Sequence, residues 1–147
     1  MYFVTFVTKE YRHWFGKIVN CKIRYNSLGK YLFQSLRHIK DHFQTVEIPF
    51  FVIMPNHVHA VVFLKKKFIP VGQTSNKRDV KLGNIVGSIK SATSKWAHEN
   101  GYDEFAWQER FYDRIIRNEE ELTNITAYIE GNTANWEQDD YYIEQAP

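Results

Sequence analysis

The sequence predicts an α+β fold in which one largely antiparallel sheet carries helices mainly on one face. Two observations carry this expectation. Apolar runs of strand length are interspersed with two segments of helical periodicity, and a strongly apolar run from Val46 to Met54 is followed by a Pro55-Asn56 turn and a second apolar run from His57 to Leu64. At 147 residues and 44% hydrophobic composition, the chain suits one domain spanning 1–147 with one sizeable core, and 16% aromatic residues leave large rings to fill much of it.

Residues Tyr2 to Thr8 are aromatic and β-branched and suit a first strand near the core. Phe15 to Val19 and Lys22 to Tyr25 flank Asn20-Cys21, the spacing of a two-residue hairpin. Asn26 and Ser27 can cap a helix running to about Phe43, with Leu28, Tyr31, Leu32, Leu36 and Ile39 at helical spacing. Lys65 to Asp79 holds Pro70, Gly72 and several cations and reads as an exposed loop. Leu82, Ile85, Val86, Ile89, Thr93 and Trp96 recur at helical spacing from about Lys81 to Glu99, before a stop at Gly101. Arg110 to Arg117 contains a short strand. Asn118 then caps a last helix whose first turn, Glu119-Glu120-Glu121, complements the helix dipole and whose stripe is Leu122, Ile125 and Ile129. The tail after Asn132 is polar and aromatic, without periodicity.

No apolar run approaches the roughly 20 residues needed to span a bilayer, no leader is evident, and the lone Cys21 cannot build a disulfide framework; a cytoplasmic protein without membrane attachment is expected. A net charge of +2 decides nothing about nucleic acid, because clustering matters more than the total. Cations cluster at Lys65-Lys66-Lys67, at Lys77, Arg78 and Lys81, at Lys90 and Lys95, and at Arg110, Arg114 and Arg117. Any one cluster alone is equally well a solvated face.

Along the strand that begins at His57, alternation places His57, His59, Val61 and Phe63 on one face and Val58, Ala60, Val62 and Leu64 on the other. The two imidazoles lie roughly 6 to 7 Å apart at the backbone and can converge on one cation. A His-X-His pair is weak by itself. An amidohydrolase barrel needs a much longer chain, and a histidine-triad nucleotide hydrolase would want a third His where Val61 stands. On the last helix, Tyr128 and Asn132 are spaced i, i+4 and share a face, with Tyr128 at the border of the apolar stripe.

Taken together, these residues resemble a known family. Met54-Pro55-Asn56 before His57-Val58-His59, Gly87-Ser88-Ile89-Lys90-Ser91 in a helix, Trp107-Gln108 before Phe111-Tyr112-Asp113-Arg114-Ile115-Ile116-Arg117, and Tyr128-Ile129 leading to Asn132 are similar to the REP-associated tyrosine transposases. These sit within the wider insertion-sequence transposases that carry a His-hydrophobe-His motif and one tyrosine. The likeness runs from Tyr2-Phe3-Val4-Thr5 to Asn135-Trp136, and departs at Thr133, where relatives often have Pro. It implies a ferredoxin-like sheet, His57, His59 and Asn132 as ligands of a divalent cation (magnesium or manganese), and Tyr128 as a nucleophile forming a 5′-phosphotyrosine link. Tyr112, in a family-like segment, is the rival nucleophile. The implied partner is single-stranded or hairpin DNA, bound through Lys90, Lys95, Lys77, Arg78 and Arg114, by a monomer or a homodimer. Two other readings stay open: a domesticated hairpin-DNA-binding protein without cleavage activity, and a metal-dependent hydrolase of small phosphoesters.

Overall fold

The computed structural model describes residues 1–65, 71–72 and 80–144. In chain order it forms β1 (Tyr2–Val7), β2 (Gly16–Val19), β3 (Lys22–Tyr25), α1 (Ser27–Arg37), α2 (Ile39–His42), β4 (Val46–Ile53), β5 (His57–Leu64), α3 (Leu82–Glu99), β6 (Tyr112–Ile115) and α4 (Glu119–Gly131). Four strands join in the order β4-β5-β1-β6, every neighbouring pair antiparallel. With α1 between β1 and β4, and α3 between β5 and β6, this is the βαββαβ arrangement of a ferredoxin-like sheet.

Side chains alternate across that sheet, so its two faces have different contents. Val4 and Phe6 of β1 and Val58, Ala60 and Val62 of β5 are buried against Leu28, Leu32 and Leu36 of α1 and Ile85, Val86 and Ile89 of α3. Each of these side chains larger than Ala60 contributes on the order of 1.5–3 kcal/mol through burial. On the opposite face, Phe3, Val52 and Val61 meet Ile116 and the stripe Leu122, Ile125 and Ile129 of α4. The two long helices between strands thus cover one face, and α4 packs on the other together with the tail that follows it.

Several local expectations shift. The predicted hairpin forms with Asn20 (φ 51°) and Cys21 (φ 62°) both left-handed, as a two-residue type I′ turn demands, but β2 and β3 make a sheet of their own. The helix expected to reach about Phe43 breaks at His38 (φ −104°, ψ 21°) into α1 and α2, a tertiary override that buries Ile39. β4 slips register between Glu47 and Phe50, where Pro49 supplies no N–H to the ladder; an edge strand tolerates both features. Most of the cationic loop, including Lys66, Lys67, Lys77 and Arg78, lies outside the described residues.

Candidate active site

The predicted histidine pair heads β5. Asn56, in the turn before it, is wholly buried; its Nδ2 donates to the carbonyls of Tyr11 (3.0 Å) and Tyr141 (2.8 Å). With both amide hydrogens used, Asn56 Oδ1 is left to accept from His57 Nδ1 at 2.8 Å. This assigns a proton of His57 to Nδ1 and turns its Nε2 toward Asp139. His59 Nδ1 lies 2.7 Å from Thr5 Oγ1, the residue directly opposite it on β1; a hydroxyl can donate or accept, so this contact holds the ring and turns its Nε2 toward the cluster without assigning its proton. Phe3 stacks on the His59 ring, with centroids 5.4 Å apart, and fixes its plane.

The tail completes the cluster, and nothing in its composition announced this. A short turn at Trp136–Gln138, with Trp136 buried, returns the chain to β5 and sets the Tyr141 ring 4.7 Å from that of His57. Asp139 Oδ2 stands 3.5 Å from His57 Nε2, and His57, His59 and Asp139 offer ligand atoms all within 4.8 Å of one another. Strained backbone supports the fold-back: Glu10 (φ 59°) and Tyr11 (φ 57°) are left-handed, presenting the Tyr11 carbonyl to Asn56 and its ring to Tyr141.

Tyr128 comes from α4. The Asn118 side chain caps this helix by accepting from the Glu121 N–H at 2.8 Å, and Ile125 and Ile129 anchor it over Val61. Between those anchors, Tyr128 sits at the helix border, 47% exposed, with its hydroxyl 3.4 Å from His59 Nε2. Asn132, the next helical turn on, is buried. His57, His59, Tyr128 and Asn132 therefore gather on the α4 face of the sheet.

Burial, then the neighbouring His57, lowers the His59 pKa to about 3 against the opposing pull of Asp139, so this imidazole is neutral and available as a ligand. Burial would raise the Asp139 carboxyl, but His57, the Tyr141 N–H and His59 outweigh it and hold it below the usual range. The Tyr128 phenol is pushed up by burial and by Asp139, partly offset by a hydrogen bond with Asn132.

Three buried atoms here, His57 Nε2, Asn132 Oδ1 and Asp139 Oδ2, have no hydrogen-bond partner among the described residues. Each carries a lone pair, and leaving such atoms unsatisfied is costly. Two lone pairs facing each other across 3.5 Å require a proton or a cation between them. The donor set, two imidazole nitrogens with an amide and a carboxylate oxygen, therefore fits a divalent cation.

Beside the cluster opens a cleft of about 490 Å³, lined among others by His59, Tyr128, Tyr112, Arg114 and Asn124. Arg114 and Tyr112 thus stand near the histidines. Lys90 and Lys95 do not: α3 covers the opposite face of the sheet. The Lys90 ammonium donates to the Gln108 carbonyl at 2.5 Å and lies 3.4 Å from that of Glu109, tying down the approach to β6, while Lys95 is exposed.

A ferredoxin-like sheet bears a buried, HUH-like (His-hydrophobe-His) pair, with a helix-borne tyrosine directed at it. The chain belongs to the IS200-like transposase family, whose model matches residues 2–132. It is 33% identical to an uncharacterised protein of Haemophilus influenzae over 97% of this chain and 85% of that one. Among solved structures it is similar to a REP-associated tyrosine transposase bound to a REP hairpin, with TM-score 0.61 and 22% identity over 91% of this chain and 66% of that one. It is also similar to a transposase-like protein from Deinococcus radiodurans, with TM-score 0.53 and 18% identity over 88% of this chain and 87% of that one. At those identities the structural likenesses speak to the fold. The residues matched by the family model end at Asn132, so Asp139 and Tyr141 lie beyond them.

Sequence reasoning missed Thr5, Asn56, Asp139 and Tyr141. Thr5 read as an ordinary β-branched strand residue and Asn56 as a turn former. For Asp139 no local signal exists.

Proposed function

We propose that this chain, as one domain, cleaves and rejoins single-stranded DNA through a covalent 5′-phosphotyrosine intermediate at Tyr128. The observation that carries the reading is the Tyr128 hydroxyl at 3.4 Å from His59 Nε2, beside the group formed by His57, His59 and Asp139. His57 and His59 would hold a divalent cation, magnesium or manganese, with Asn132 Oδ1 and Asp139 Oδ2 as oxygen donors. When bound, such a cation stabilises charge on a non-bridging phosphate oxygen.

The chain's own residues supply position and the attacking atom. Packing of Ile125 and Ile129 fixes α4, and with it the direction from which the Tyr128 oxygen approaches phosphorus. In the step itself the P–Oη bond forms and the P–O3′ bond breaks; the phenolic proton is lost and the leaving 3′ oxygen gains one. A phenol, with an ordinary pKa near 10, is a better leaving group than an alcohol, so the 3′-hydroxyl can reverse the step and rejoin the strand. Because Tyr128 reaches its own chain's His59, one chain supplies the whole site, and mixing Tyr128→Phe with His59→Ala should not restore activity.

The test is incubation of hairpin oligonucleotides with unpaired flanks in manganese. Wild type should give a denaturation-resistant protein–DNA adduct and Tyr128→Phe none, with DNA binding kept. An adduct that persists in Tyr128→Phe moves the nucleophile, with Tyr112 next in line. One observation favours the second reading, hairpin binding without cutting: the ring of Tyr141, from the tail, lies 4.7 Å from that of His57. Retarded migration of hairpins with no nicking by wild type in any divalent metal would support it.

A further inference from the structure

The antiparallel register carries the site across the sheet to its edge. Tyr112 of β6 is opposite Thr5 of β1, which is opposite His59; Arg114 is opposite Phe3, which is opposite Val61. Directly opposed residues share a face, so Tyr112 and Arg114 project on the histidine side at the open edge of the sheet. Both line the cleft that also receives His59 and Tyr128. Tyr112 is 58% exposed and has no ring partner among the described residues, although most aromatic residues around the site are paired in ring contacts. Arg114 is exposed and no carboxylate neutralises it among the described residues. Asn124 of α4 adds an amide to the facing wall.

An exposed large ring on a rigid strand, a free guanidinium two residues along the same face, and an amide opposite are the elements that hold an unpaired nucleotide. The ring stacks on the base, whatever its identity; the guanidinium takes a phosphate; the amide reads the base edge. A space of about 490 Å³ is of the size that takes a small ligand, so it admits a nucleotide unit.

The geometry points to a nucleotide-binding subsite on β6, in which Tyr112 stacks on the base of an unpaired nucleotide beside the scissile phosphate and Arg114 pairs with that strand's adjoining phosphate. The role in cleavage rests on the reading of Tyr128 as nucleophile; the binding does not. Tyr112 is then a positioning residue, which accounts for a second tyrosine in the cleft without making it an attacker.

The test uses the Tyr128→Phe protein, so that no chemistry is needed, and hairpin DNA with oligothymidylate flanks in which one flank position at a time is 2-aminopurine. Stacking should quench fluorescence most strongly at one position. Tyr112→Leu in that background should abolish the quench and weaken binding about tenfold or more, as loss of one base–aromatic stack does, whereas Tyr112→Phe should retain both. An abasic residue at the quenched position should cost little further in Tyr112→Leu, because protein and DNA changes remove the same contact. Arg114→Gln should reduce the slope of log affinity against log salt by about one. Unchanged quenching in Tyr112→Leu, or losses from Tyr112→Leu and the abasic site that multiply, would overturn the proposal, as would absence of a quenched position in the bound complex. Adduct formation by wild type reports separately on the nucleophile, so the two readings fail independently.

Discussion

The two faces of the central sheet are written in the same strands, one residue out of phase, and they do opposite things. Toward α1 and α3, the side chains are Val4, Phe6, Val58, Ala60 and Val62, all buried and without polar atoms. Toward α4, the intervening positions hold Thr5, His57 and His59, equally buried, beside Val61 and the half-buried Phe3, and the His57 Nε2 has no hydrogen-bond partner among the described residues. Burial without hydrogen bonding is unfavourable, so the α4 face gives up stability that the other face supplies. The division teaches that a cation or substrate bound on the α4 side should stabilise the protein, while changes on the other side should act on folding alone.

The largest expected effect breaks the comparison into its halves. His59→Ala should reduce adduct formation by about 10²–10³-fold or more, by analogy with loss of a group that stabilises transition-state charge. Its readout is the response to manganese, because losing a buried imidazole bonded to Thr5 also lowers the metal-free midpoint. Leu32→Ala, on the dry face, should instead cost about 2–5 kcal/mol of stability, with cleavage per folded molecule kept. Manganese should raise the midpoint of wild type and chelator reverse it, with no response in His59→Ala. Midpoints from calorimetry with and without manganese decide this; a metal-dependent shift that survives in His59→Ala would place the cation elsewhere.

The dry face was the more legible in the sequence. Period-two alternation in β1 and β5 and helical spacing in α1, α3 and α4 located the elements, because those patterns arise from burial itself. His57 and His59 stood out as two imidazoles on one strand face and Tyr128 and Asn132 as an i, i+4 pair with Tyr128 at the border of an apolar stripe, while their roles came from the family resemblance. The groups that orient them did not. Thr5 differs from a core valine by one hydroxyl, and Asn56 is indistinguishable from a turn asparagine until its partners Tyr11 and Tyr141 are known. Asp139 is fixed by a return of the chain that depends on tertiary contacts of Trp136 and Tyr141, which leave no periodic trace. Lys90 shows the reverse limit: sequence gives its charge, but only the structure shows that charge directed at the backbone carbonyl of Gln108.

The comparison can be sharpened at Thr5, which belongs to the α4 face but touches neither Tyr128 nor Asp139 through a hydrogen bond. Its hydroxyl holds His59 Nδ1 at 2.7 Å. Thr5→Val keeps the shape and removes the partner that holds the ring through Nδ1, so metal affinity should fall about 10–100-fold, as for other outer hydrogen bonds to ligating histidines. Thr5→Ser should retain it. Titration of manganese by its effect on the thermal midpoint measures the change; equal affinities in Thr5→Val and wild type would show that His59 needs no such support.

A smaller effect separates helix stability from chemistry on the same face. Asn118 caps α4 through the Glu121 N–H, and Asn118→Ala should cost about 1 kcal/mol. For a chain of this size that lowers the midpoint by about 2–4 °C. Because Ile125 and Ile129 still clamp the helix, adduct formation at a temperature well below the midpoint should hold. A loss of adduct larger than the loss of folded protein would mean that the cap itself aims Tyr128.

The smallest effect lies at the sheet's far edge, away from both the dry core and the site. Glu47 of β4 lies 2.6 Å from Lys65 Nζ and 3.1 Å from Lys40 Nζ, and hydrogen bonding to these lysines holds its carboxyl below the usual range. A carboxylate with a depressed folded-state pKa binds fewer protons folded than unfolded. Its contribution is therefore complete above the unfolded pKa, near 4.3, and is lost as pH falls through the lower folded value. Wild type should exceed Glu47→Gln in midpoint above the unfolded pKa and converge on it as pH falls through the lower folded value. The groups are exposed, so the difference is small and should collapse near 1 M salt, where the screening length falls to about 3 Å. A gap that persists in acid or in salt would mean that Glu47 steadies the bulged edge by packing and not by charge.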